Sequence, residues 1–470
     1  MLLRCQKHEV GDKYSWFVLI ALFVSLSDSL VRADPGKKAP PNIVFILADD
    51  LGYGDLGCFG QKQIQTPNID KLAGEGIRFR QCYAGCTVCA PSRCCLMTGF
   101  HTGHARVRGN ALVPLLPEDV TIAEILKKAG YTTALCGKWG LGEAGSTGIP
   151  TKKGFDYFYG YLSQVHAHNY YPEFLWRGEA KDPLEGNVVV IGVATKKVVY
   201  APDRITGEAI QFIERNKNHP FFLYYAPTLP HANNEAGKMG MEIPDDAPYK
   251  DRTWPQQQKN HAAMISRLDR DVGQLLTTLK KQKLDENTIV FFSSDNGPHK
   301  EGGADPEFFQ SSGPLQGYKR SMTEGGIRVP MIVRWPGTIK PGESDRVWAF
   351  WDFMPTAAAL AGVSVPAGID GMDMTGAFLP GRQTLEHEFL YWEFHEGGSK
   401  QAVRMKNWKA IRTTLDKPLA LYDLTKDIGE KNDVAGTNPE IVATIEKYLK
   451  TARTDSPYWP LNFARKKSKK

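Results

Sequence analysis

The sequence has no apolar stretch long enough to cross a lipid bilayer. Its longest one, residues 16–26, has about eleven residues, whereas a helical span needs roughly 20. The stretch follows a basic start and precedes residues 31–33, Val-Arg-Ala, a small-residue cleavage pattern typical of a signal peptide. We therefore expect residues 1–33 to be removed, leaving no stable membrane anchor, and the protein to be exported to the periplasm or the extracellular space.

The chain also has little excess charge of one sign. The formal net charge is +6, removing residues 1–33 lowers it to +5, and the basic tail at residues 465–470 carries five positive charges. The remainder is therefore neutral and offers no basic face to nucleic acid, so we expect no nucleic-acid partner. We interpret the tail as a solvated end.

No internal repeat is visible, and 470 residues with 42% hydrophobic and 11% aromatic side chains can bury a large core. After about residue 374 the sequence pattern changes to short strand-like segments followed by a final helix. We expect an α/β catalytic domain at residues 34–374 and a small α+β subdomain, which includes the basic tail, at residues 375–470.

Runs rich in β-branched and aromatic residues predict buried parallel strands, and each run delivers polar groups at its carboxyl end. The four runs are residues 42–48, 131–136, 221–226 and 288–294. Helix signals lie between them, such as the capping box of Thr121 with Glu124 and an apolar period of three and four residues over 264–279. The alternation predicts a large, mostly parallel sheet flanked by helices, with ligands bound at the carboxyl ends of the strands.

Two of these strand ends carry hard oxygen donors. Asp49-Asp50 follows the first run, and Asp295-Asn296 follows the last. Three carboxylates brought together would repel one another, so a divalent cation is their natural partner, and ligation by oxygen alone suits calcium or magnesium. Either pair by itself would be an ordinary turn, but two pairs in matching positions favour a metal site.

Five of the eight cysteines fall between Cys82 and Cys95. Their spacing is unfavourable for a tetrahedral zinc site. Loss of Cys5 with the signal peptide would leave seven, so one thiol is free or one cysteine has another role. Six cysteines could form disulfides, and two of these, Cys94 and Cys95, could instead be buried free thiols. The six are Cys58, Cys82, Cys86, Cys94, Cys95 and Cys136.

Cys89 has the surroundings of an anion site. Pro91 can occupy the first position of a helix, which would place Cys89 just before a helix N-terminus, and Arg93 adds a positive fork one turn on. Three further groups follow strand ends or precede a strand: Lys138, His231 and Lys319. Each alone would be an ordinary surface or turn residue, but their joint placement favours a functional site.

Five motifs make the chain resemble the formylglycine-dependent sulfatases of the alkaline phosphatase superfamily. They are ILADDLGYGDLGCFG, CAPSRCCLMTG, GYTTALCGKWG, SSDNG and GYKRSMTEGGIRVP, in the family's order over residues 42–335. The resemblance implies an alkaline-phosphatase-like fold and hydrolysis of a sulfate ester. It also implies that a maturation enzyme, the formylglycine-generating enzyme, oxidises Cys89 to formylglycine, whose hydrated aldehyde is the nucleophile.

The resemblance also assigns roles to the site residues. Asp49, Asp50, Asp295 and Asn296 would bind calcium together with an oxygen of the modified Cys89. Arg93 and Lys138 would hold the formylglycine diol, and His231 and Lys319 would contact the sulfate and assist the departing alcohol.

One residue departs from the family pattern. The family usually has His after Gly-Lys-Trp, whereas this chain has Gly140. His166 or His168 would enter the site instead, or both would merely pack or bind substrate. Tyr170, Tyr171 and Trp176 could form a platform for a sugar ring, although core packing accounts for them equally well.

We expect the substrate to be a sulfated carbohydrate, with a galactose or N-acetylgalactosamine sulfate as the first choice. Two alternatives stay open: a phosphodiester or phosphonate hydrolase of the same superfamily, and a catalytically inactive binder of sulfated glycans.

Overall fold

A ten-stranded sheet lies at the centre of the chain in the computed structural model, which describes residues 40–462. The strands of this sheet and of two smaller sheets are, in chain order, β1 (Asn42–Ala48), β2 (Ile77–Tyr83), β3 (Thr132–Lys138), β4 (Tyr157–Tyr161), β5 (Phe174–Arg177), β6 (Ala180–Pro183), β7 (Val188–Val190), β8 (Val193–Lys196), β9 (Phe221–Ala226), β10 (Thr288–Ser294), β11 (Arg328–Arg334), β12 (Gly342–Ala349), β13 (Leu390–Phe394), β14 (Lys400–Met405), β15 (Trp408–Arg412) and β16 (Ala420–Asp423). The helices are α1 (Pro67–Gly74), α2 (Cys89–Thr98), α3 (Ile122–Lys128), α4 (Ala201–Arg215), α5 (Gln256–Lys281), α6 (Glu324–Ile327), α7 (Phe353–Ala361) and α8 (Pro439–Leu449).

The large sheet has the strand order β12-β2-β11-β10-β1-β9-β3-β4-β5-β6. Five of its pairings are parallel and four are antiparallel. The centre, β10-β1-β9-β3-β4, is entirely parallel, and β1 pairs with β10 from Asn42 opposite Thr288 to Ala48 opposite Ser294. The residues that follow these two strands therefore leave the sheet side by side.

Both faces of the sheet are covered because alternate residues of each central strand point to opposite sides. In β1, Phe45 belongs to one core cluster and Ile46 to the other. The first cluster packs against α2, α3 and α7, and the second against α1, α4 and α5. Burial on both faces explains why these strands read as continuous apolar runs.

A four-stranded antiparallel sheet, β13-β14-β15-β16, follows the large sheet in the chain. Its inner face packs with α8 through residues such as Leu421 and Ile445, whereas Trp392 of β13 belongs to the core cluster of the large sheet. We call residues 390–449, which hold this sheet and α8, the C-terminal segment. The division into domains at residues 374 and 375 stays a prediction.

The predicted fold class is confirmed. The first, third and fourth predicted strands have the predicted bounds, and the capping box of Thr121 with Glu124 begins α3. The predicted signal peptide and the basic tail lie outside the described residues. Within residues 40–462, no helix combines the length and apolar character needed to span a membrane.

Candidate active site

Four oxygen-bearing side chains meet where β1 and β10 end. Asp50 donates its backbone N–H to Oδ1 of Asp295 (3.1 Å), and the Asn296 amide donates to Oδ1 of Asp50 (2.6 Å). Asp50 has a φ of 65°, in the left-handed region, which Asp tolerates better than most residues. Together with Asp49, these residues are all fully buried. The sequence prediction that the two pairs converge is therefore supported by the geometry.

Two buried cations lie against these carboxylates. Arg93 donates through Nε and Nη2 to Oδ2 of Asp295 (3.0 and 2.8 Å) and through Nη1 to the carbonyl of Lys138 (2.8 Å). Lys138, the last residue of β3, donates to Oδ2 of Asp49 (2.8 Å). Each charge of the cluster is thus paired, as buried charges must be.

Cys89 lies in the same cluster. Its Sγ is 3.4 Å from Oδ1 of Asp49, and its side chain is buried. The expected helix start was wrong by two residues: α2 begins at Cys89 itself, Val88 is the N-cap, and Pro91 is the third helical residue. Proline is tolerated throughout the first turn because no N–H is needed there, so Pro91 alone could not fix the start. The thiol therefore lies inside the first turn.

His231 and Lys319 contact the opposite side of Asp50. Lys319 Nζ lies 2.8 Å from Oδ2 of Asp50, 3.2 Å from Nε2 of His231 and 3.0 Å from Oε2 of Glu301. The Nδ1 of His231 lies 2.6 Å from the carbonyl of Ala232. A donor at Nδ1 leaves Nε2 of a neutral imidazole free to accept from Lys319. Burial and the charge of Lys319 lower the pKa of His231 well below its usual value, which favours this neutral form.

The carboxylates of the cluster titrate differently. Burial by itself would raise the pKa of Asp49, but Lys138 and Arg93 hold it well below its usual range. Burial and the charge of Asp49 raise the pKa of Asp295 to about 7 despite the contact with Arg93. Burial, with Asp49 alongside, also raises the pKa of the Cys89 thiol. The nearby cations therefore outweigh burial at Asp49, whereas burial and the charge of Asp49 outweigh the cations at Asp295.

The donor set fits a hard divalent cation. Oδ1 of Asn296 is buried and accepts no hydrogen bond from any described residue, while the amide nitrogen of the same side chain is used twice. An unpaired buried carbonyl oxygen is costly, and a metal ion would satisfy it. Asp49, Asp50, Cys89 and His231 also bring one potential ligand atom each within 4.8 Å of one another. The oxygen-rich set favours calcium or magnesium over zinc.

His168 reaches this cluster and His166 does not contact it. The ring of His168 stacks on that of His231, with centroids 4.9 Å apart and an interplanar angle of 12°, and its Nδ1 lies 3.0 Å from Oε2 of Glu235. His166 packs between Tyr161 and Phe174 instead. Both follow β4 in one turn of 3-10 helix. Of the two predicted replacements for the absent histidine, the geometry favours His168.

The space beside Gly140 is already filled. A Cβ on Gly140 would lie 1.9 Å from Nε2 of Gln164, and the φ of Gly140 is +80°. A residue with a Cβ would be strained here by the positive φ, and the Gln164 amide, at the end of a flexible side chain, would have to move. Where the family usually has a histidine, this chain has Gly140, and the side chain of Gln164 from the loop after β4 lies beside it.

The aromatic residues predicted as a sugar platform are core residues in two of three cases. Tyr170 is fully buried, stacks on Tyr200 at 5.6 Å, and donates its hydroxyl to the carbonyl of Thr228. Tyr171 is also buried, while Trp176 is partly exposed. The proposal of Tyr170 as a substrate residue is corrected: its ring has no accessible face, so core packing is the account that the structure supports.

The remaining cysteines are free thiols. Among the described residues, no two cysteines form a disulfide, and every one except Cys58 is buried. Cys86 and Cys95 use their thiols as weak donors to the carbonyls of Glu393 and Gly85. The buried-thiol alternative therefore holds for Cys94 and Cys95, which lie on α2.

Sequence reasoning missed two acidic residues of the site. Glu301 pairs with Lys319, and Glu235 pairs with His168. Glu301 is only five residues beyond Asn296 in a glycine-rich loop, a proximity that could have indicated it. Glu235 is four residues beyond His231 and could have been found in the same way.

The arrangement can bind a small tetrahedral anion beside a nucleophile. Residue 89 lies in the first turn of a helix, flanked by Lys138, Lys319 and Arg93, with a neutral imidazole and an oxygen-lined cation site alongside. Fixed positive groups of this kind stabilise charge that develops on the oxygens of a transferred group.

Comparison with known proteins agrees with this site. The sulfatase family model matches residues 41–363, and the model for the C-terminal region of N-sulphoglucosamine sulphohydrolase matches residues 317–455. The N-acetylgalactosamine-6-O-sulfatase of Bacteroides thetaiotaomicron is 29% identical over 93% of this chain and 97% of its own. Arylsulfatase A of Homo sapiens is 33% identical over 87% of each chain.

Solved structures show the same likeness. The crystal structure of Ps i-CgsB has a TM-score of 0.76 and 32% identity, covering 90% of this chain and 95% of that chain. The structure of Ps i-CgsB in complex with k-i-k-neocarrahexaose has a TM-score of 0.75 and 31% identity, with coverage of 90% and 95%.

Proposed function

The chain belongs to the sulfatase family, whose members are sulfuric ester hydrolases of the alkaline phosphatase superfamily, and from this premise we propose that it removes sulfate from a sulfated carbohydrate. The observation that carries the proposal is the convergence of Cys89, three buried carboxylates and Asn296 at one point, with Lys138, Lys319 and Arg93 around them. Family membership alone would not require these residues to meet in this chain.

Two groups complete the site in this proposal. Formylglycine made from Cys89 by a maturation enzyme would supply the nucleophile as its hydrated aldehyde. A calcium ion held by Asp49, Asp50, Asp295 and Asn296 would supply fixed positive charge beside the sulfate. The free Oδ1 of Asn296 and the raised pKa of Asp295 support a cation at this point.

The protein's own residues have separable tasks. Arg93 fixes Asp295 and the carbonyl of Lys138, so it orients the carboxylate and the strand end at once. Lys138, which pairs with Asp49, lies where it can hold a polar group on residue 89. Lys319 is a protonated donor next to the neutral Nε2 of His231, so this pair can bind sulfate oxygens and pass a proton to the leaving alcohol.

His168 takes the place of the absent histidine in this proposal. Glu235 accepts its Nδ1–H, which orients the ring and leaves Nε2 without a partner among the described residues. Burial and the charge of Lys138 lower the pKa of His168 despite the opposing effect of Glu235, so the ring is neutral and its free nitrogen can accept a proton. The Gln164 side chain lies beside Gly140, so the loop after β4 supplies both this side chain and the imidazole of His168.

The substrate class comes from the relatives. One is an N-acetylgalactosamine-6-O-sulfatase by its name, and Ps i-CgsB is solved in complex with k-i-k-neocarrahexaose. Exposed polar groups at the edge of the site, such as Glu235 and Arg320, suit a hydroxylated sugar. We favour a sulfated galactose or N-acetylgalactosamine, and export of the protein would bring it to such polysaccharides.

Two measurements test the proposal. Co-expression with a formylglycine-generating enzyme should lower the mass of the peptide that spans Cys89 by about 18 Da, the difference between a thiol and a carbonyl group. The matured protein should release sulfate from a panel of sulfated sugars, and Cys89→Ala should abolish this release. Faster hydrolysis of a matched phosphodiester than of the sulfate, or binding without release, would instead favour one of the two alternatives.

A further inference from the structure

Lys319 is carried by a loop, residues 316–324, which we call the Lys319 loop. Two main-chain hydrogen bonds tie its centre to the site: Lys319 N–H donates to the carbonyl of Pro298 (2.8 Å), and Arg320 N–H donates to that of Thr87 (3.1 Å). Arg320 has a φ of 72°, a left-handed conformation that costs about 1 kcal/mol or more for a residue with a Cβ. Surrounding contacts must hold such a conformation in place.

Both ends of this loop contact one residue of the C-terminal segment. The Gln316 amide, with its nitrogen oriented by the network, donates to the carbonyls of Gly429 (2.6 Å) and Glu430 (2.8 Å). At the other end, Glu324 donates its backbone N–H to Oε2 of Glu430 (2.6 Å). Lys409 of β15 joins both carboxylates, at 3.0 Å from Glu324 and 3.3 Å from Glu430.

The contact at the second end is fully desolvated. Lys409 and Glu324 are completely buried, and Glu430 is nearly so. Burial by itself would raise the pKa of Glu324, but Lys409 and Arg328 lower it to about 2, so this carboxylate is ionised. Removing one partner of such a buried set leaves an uncompensated charge, which makes the geometry of the set strongly determined.

A third contact lies at the middle of the loop. Arg320 bridges Glu301, which also binds Lys319, to Glu396 in the turn between β13 and β14, at 2.8 Å from its Nε. A chain of opposite charges therefore runs from Asp50 through Lys319 to the C-terminal segment. This pair is half exposed and adds less than the buried one.

Within the loop, Met322 is the one apolar side chain buried in a core cluster, and apolar packing is otherwise sparse on this side. A cleft of about 430 Å³ separates residues 317–323 from Lys400, Ile411 and Thr413 of the C-terminal segment. The polar contacts at the two ends and the middle thus bridge a gap. Loops with few buried apolar contacts open at low free-energy cost unless such bonds restrain them.

We propose that Glu430 and Lys409 are positioning residues of the active site, through which the C-terminal segment fixes the Lys319 loop and holds the Lys319 ammonium against Asp50 and His231. The match to the C-terminal family model begins at residue 317, so the loop and the C-terminal segment also go together in sequence. The restraint of the loop is independent of the chemistry, and only its effect on hydrolysis rests on the proposed function.

Hydrogen exchange of the full chain tests the restraint directly. Glu430→Gln should speed exchange of the amides of residues 316–324 by about tenfold or more, while β14 and β15 keep their protection. Gln316→Ala, at an exposed position, should do the same at the first end of the loop and remains testable should Glu430→Gln fold poorly. Glu446→Gln is the matched control, because Glu446 pairs with Arg412 in the C-terminal segment and has no contact with the loop.

Hydrolysis by the matured variants gives the second readout. Glu430→Gln and Gln316→Ala should lower kcat/KM by about tenfold or more, whereas Glu446→Gln should not. Loop exchange that stays at the Glu446→Gln level in both variants overturns the proposal. If the loop exchanges faster in the variants but the matured wild-type protein releases no sulfate, the restraint of the loop is supported and the proposed function is refuted.

Discussion

The Asn296 amide donates a 2.6 Å hydrogen bond to the carboxylate of Asp50, a residue 246 positions away in the chain, while its own oxygen accepts none from the described residues. The bond fixes the orientation of the amide and leaves its buried oxygen without a hydrogen bond among the described residues. An oxygen that is both oriented and unpaired is a preorganised metal ligand.

Replacing Asn296 should therefore weaken cation binding. Asn296→Ala removes one of the proposed ligands and should lower calcium affinity by at least about tenfold, or about 1.4 kcal/mol. Titration calorimetry on the protein with unmodified Cys89 measures this without any turnover. Asn216→Ala, at the C-terminal end of α4, is the control. Equal calcium affinity in the two variants would exclude Asn296 as a ligand.

Calcium binding should strengthen as the pH rises. The pKa of Asp295 is raised from its ordinary 3.8 to about 7, so in the metal-free protein this group keeps a proton that the unfolded chain has released, and stability is lost as the pH rises through about 7. Calcium displaces that proton, so calcium raises the free energy of unfolding more at high pH than at low pH. At a concentration of 100 times Kd, calcium adds about 2.7 kcal/mol.

Thermal unfolding with and without calcium checks the sign. The calcium-induced rise in Tm should be larger at about pH 8 than at about pH 5. Magnesium provides the comparison, since it prefers a smaller octahedral site and retains waters. A larger rise at the acidic pH would contradict the assignment of the raised pKa to Asp295.

The sequence predicted those elements that are buried on both faces. Strands β1, β9 and β10 have apolar runs that end at Ala48, Ala226 and Ser294 and are followed by polar residues, so their bounds and the site residues after them followed from the pattern. Strand β12 was missed because its residues Gly342–Ala349 are mostly exposed at the edge of the sheet and polar in sequence. Strand β11 pairs antiparallel with β10, and this direction depends on the path of the loop before it.

Contacts between distant loops were not predictable in the same way. Nothing in the sequence around Lys319 indicates that Glu430 holds its loop, because the contact depends on how β15 and β16 pack. His168 could be named from the sequence, yet only the structure distinguishes it from His166, two residues earlier in the same turn.

Gly140 should resist substitution. Gly140→Ala gives alanine a positive φ and requires the Gln164 amide to move, which together should cost about 1–3 kcal/mol of unfolding free energy. Gly130→Ala is a matched control, because Gly130 has a φ of +87° and open space around it, so it incurs only the backbone cost.

Chemical denaturation measures both effects. Adding Gln164→Ala should recover the steric part of the Gly140→Ala loss and leave the backbone part, which a double-mutant cycle separates. Equal losses in Gly140→Ala and Gly130→Ala would mean that Gln164 moves away at no cost and does not fill that space.

The thiols should be inaccessible in the native state. Among the described residues, all seven cysteines are free and only Cys58 is partly exposed, and burial raises the pKa of each thiol. A thiol-specific reagent near neutral pH should label the native chain slowly. After unfolding without reductant, residues 40–462 should yield seven reactive thiols before maturation and six after it. A smaller number before maturation would indicate a disulfide.

His168 and His166 offer a direct comparison within one turn. His168→Asn should lower kcat by about 100-fold or more, since the ring next to His231 and its free nitrogen would be lost. His166→Asn should affect stability rather than rate, because that ring packs on Tyr161 and Phe174. Glu235→Gln should fall between wild type and His168→Asn and should shift the pH–rate profile, since the orienting carboxylate is removed.

The pH profile separates a proton-transfer role from simple packing. If His168 acts as a base, the acidic limb of kcat belongs to it and should move in Glu235→Gln, while the variant keeps its thermal stability. If His168 only supports the ring of His231, Glu235→Gln and His168→Asn should change KM and stability and leave that limb in place. Steady-state rates of the matured variants across the pH range, on one sulfated sugar, decide between the two.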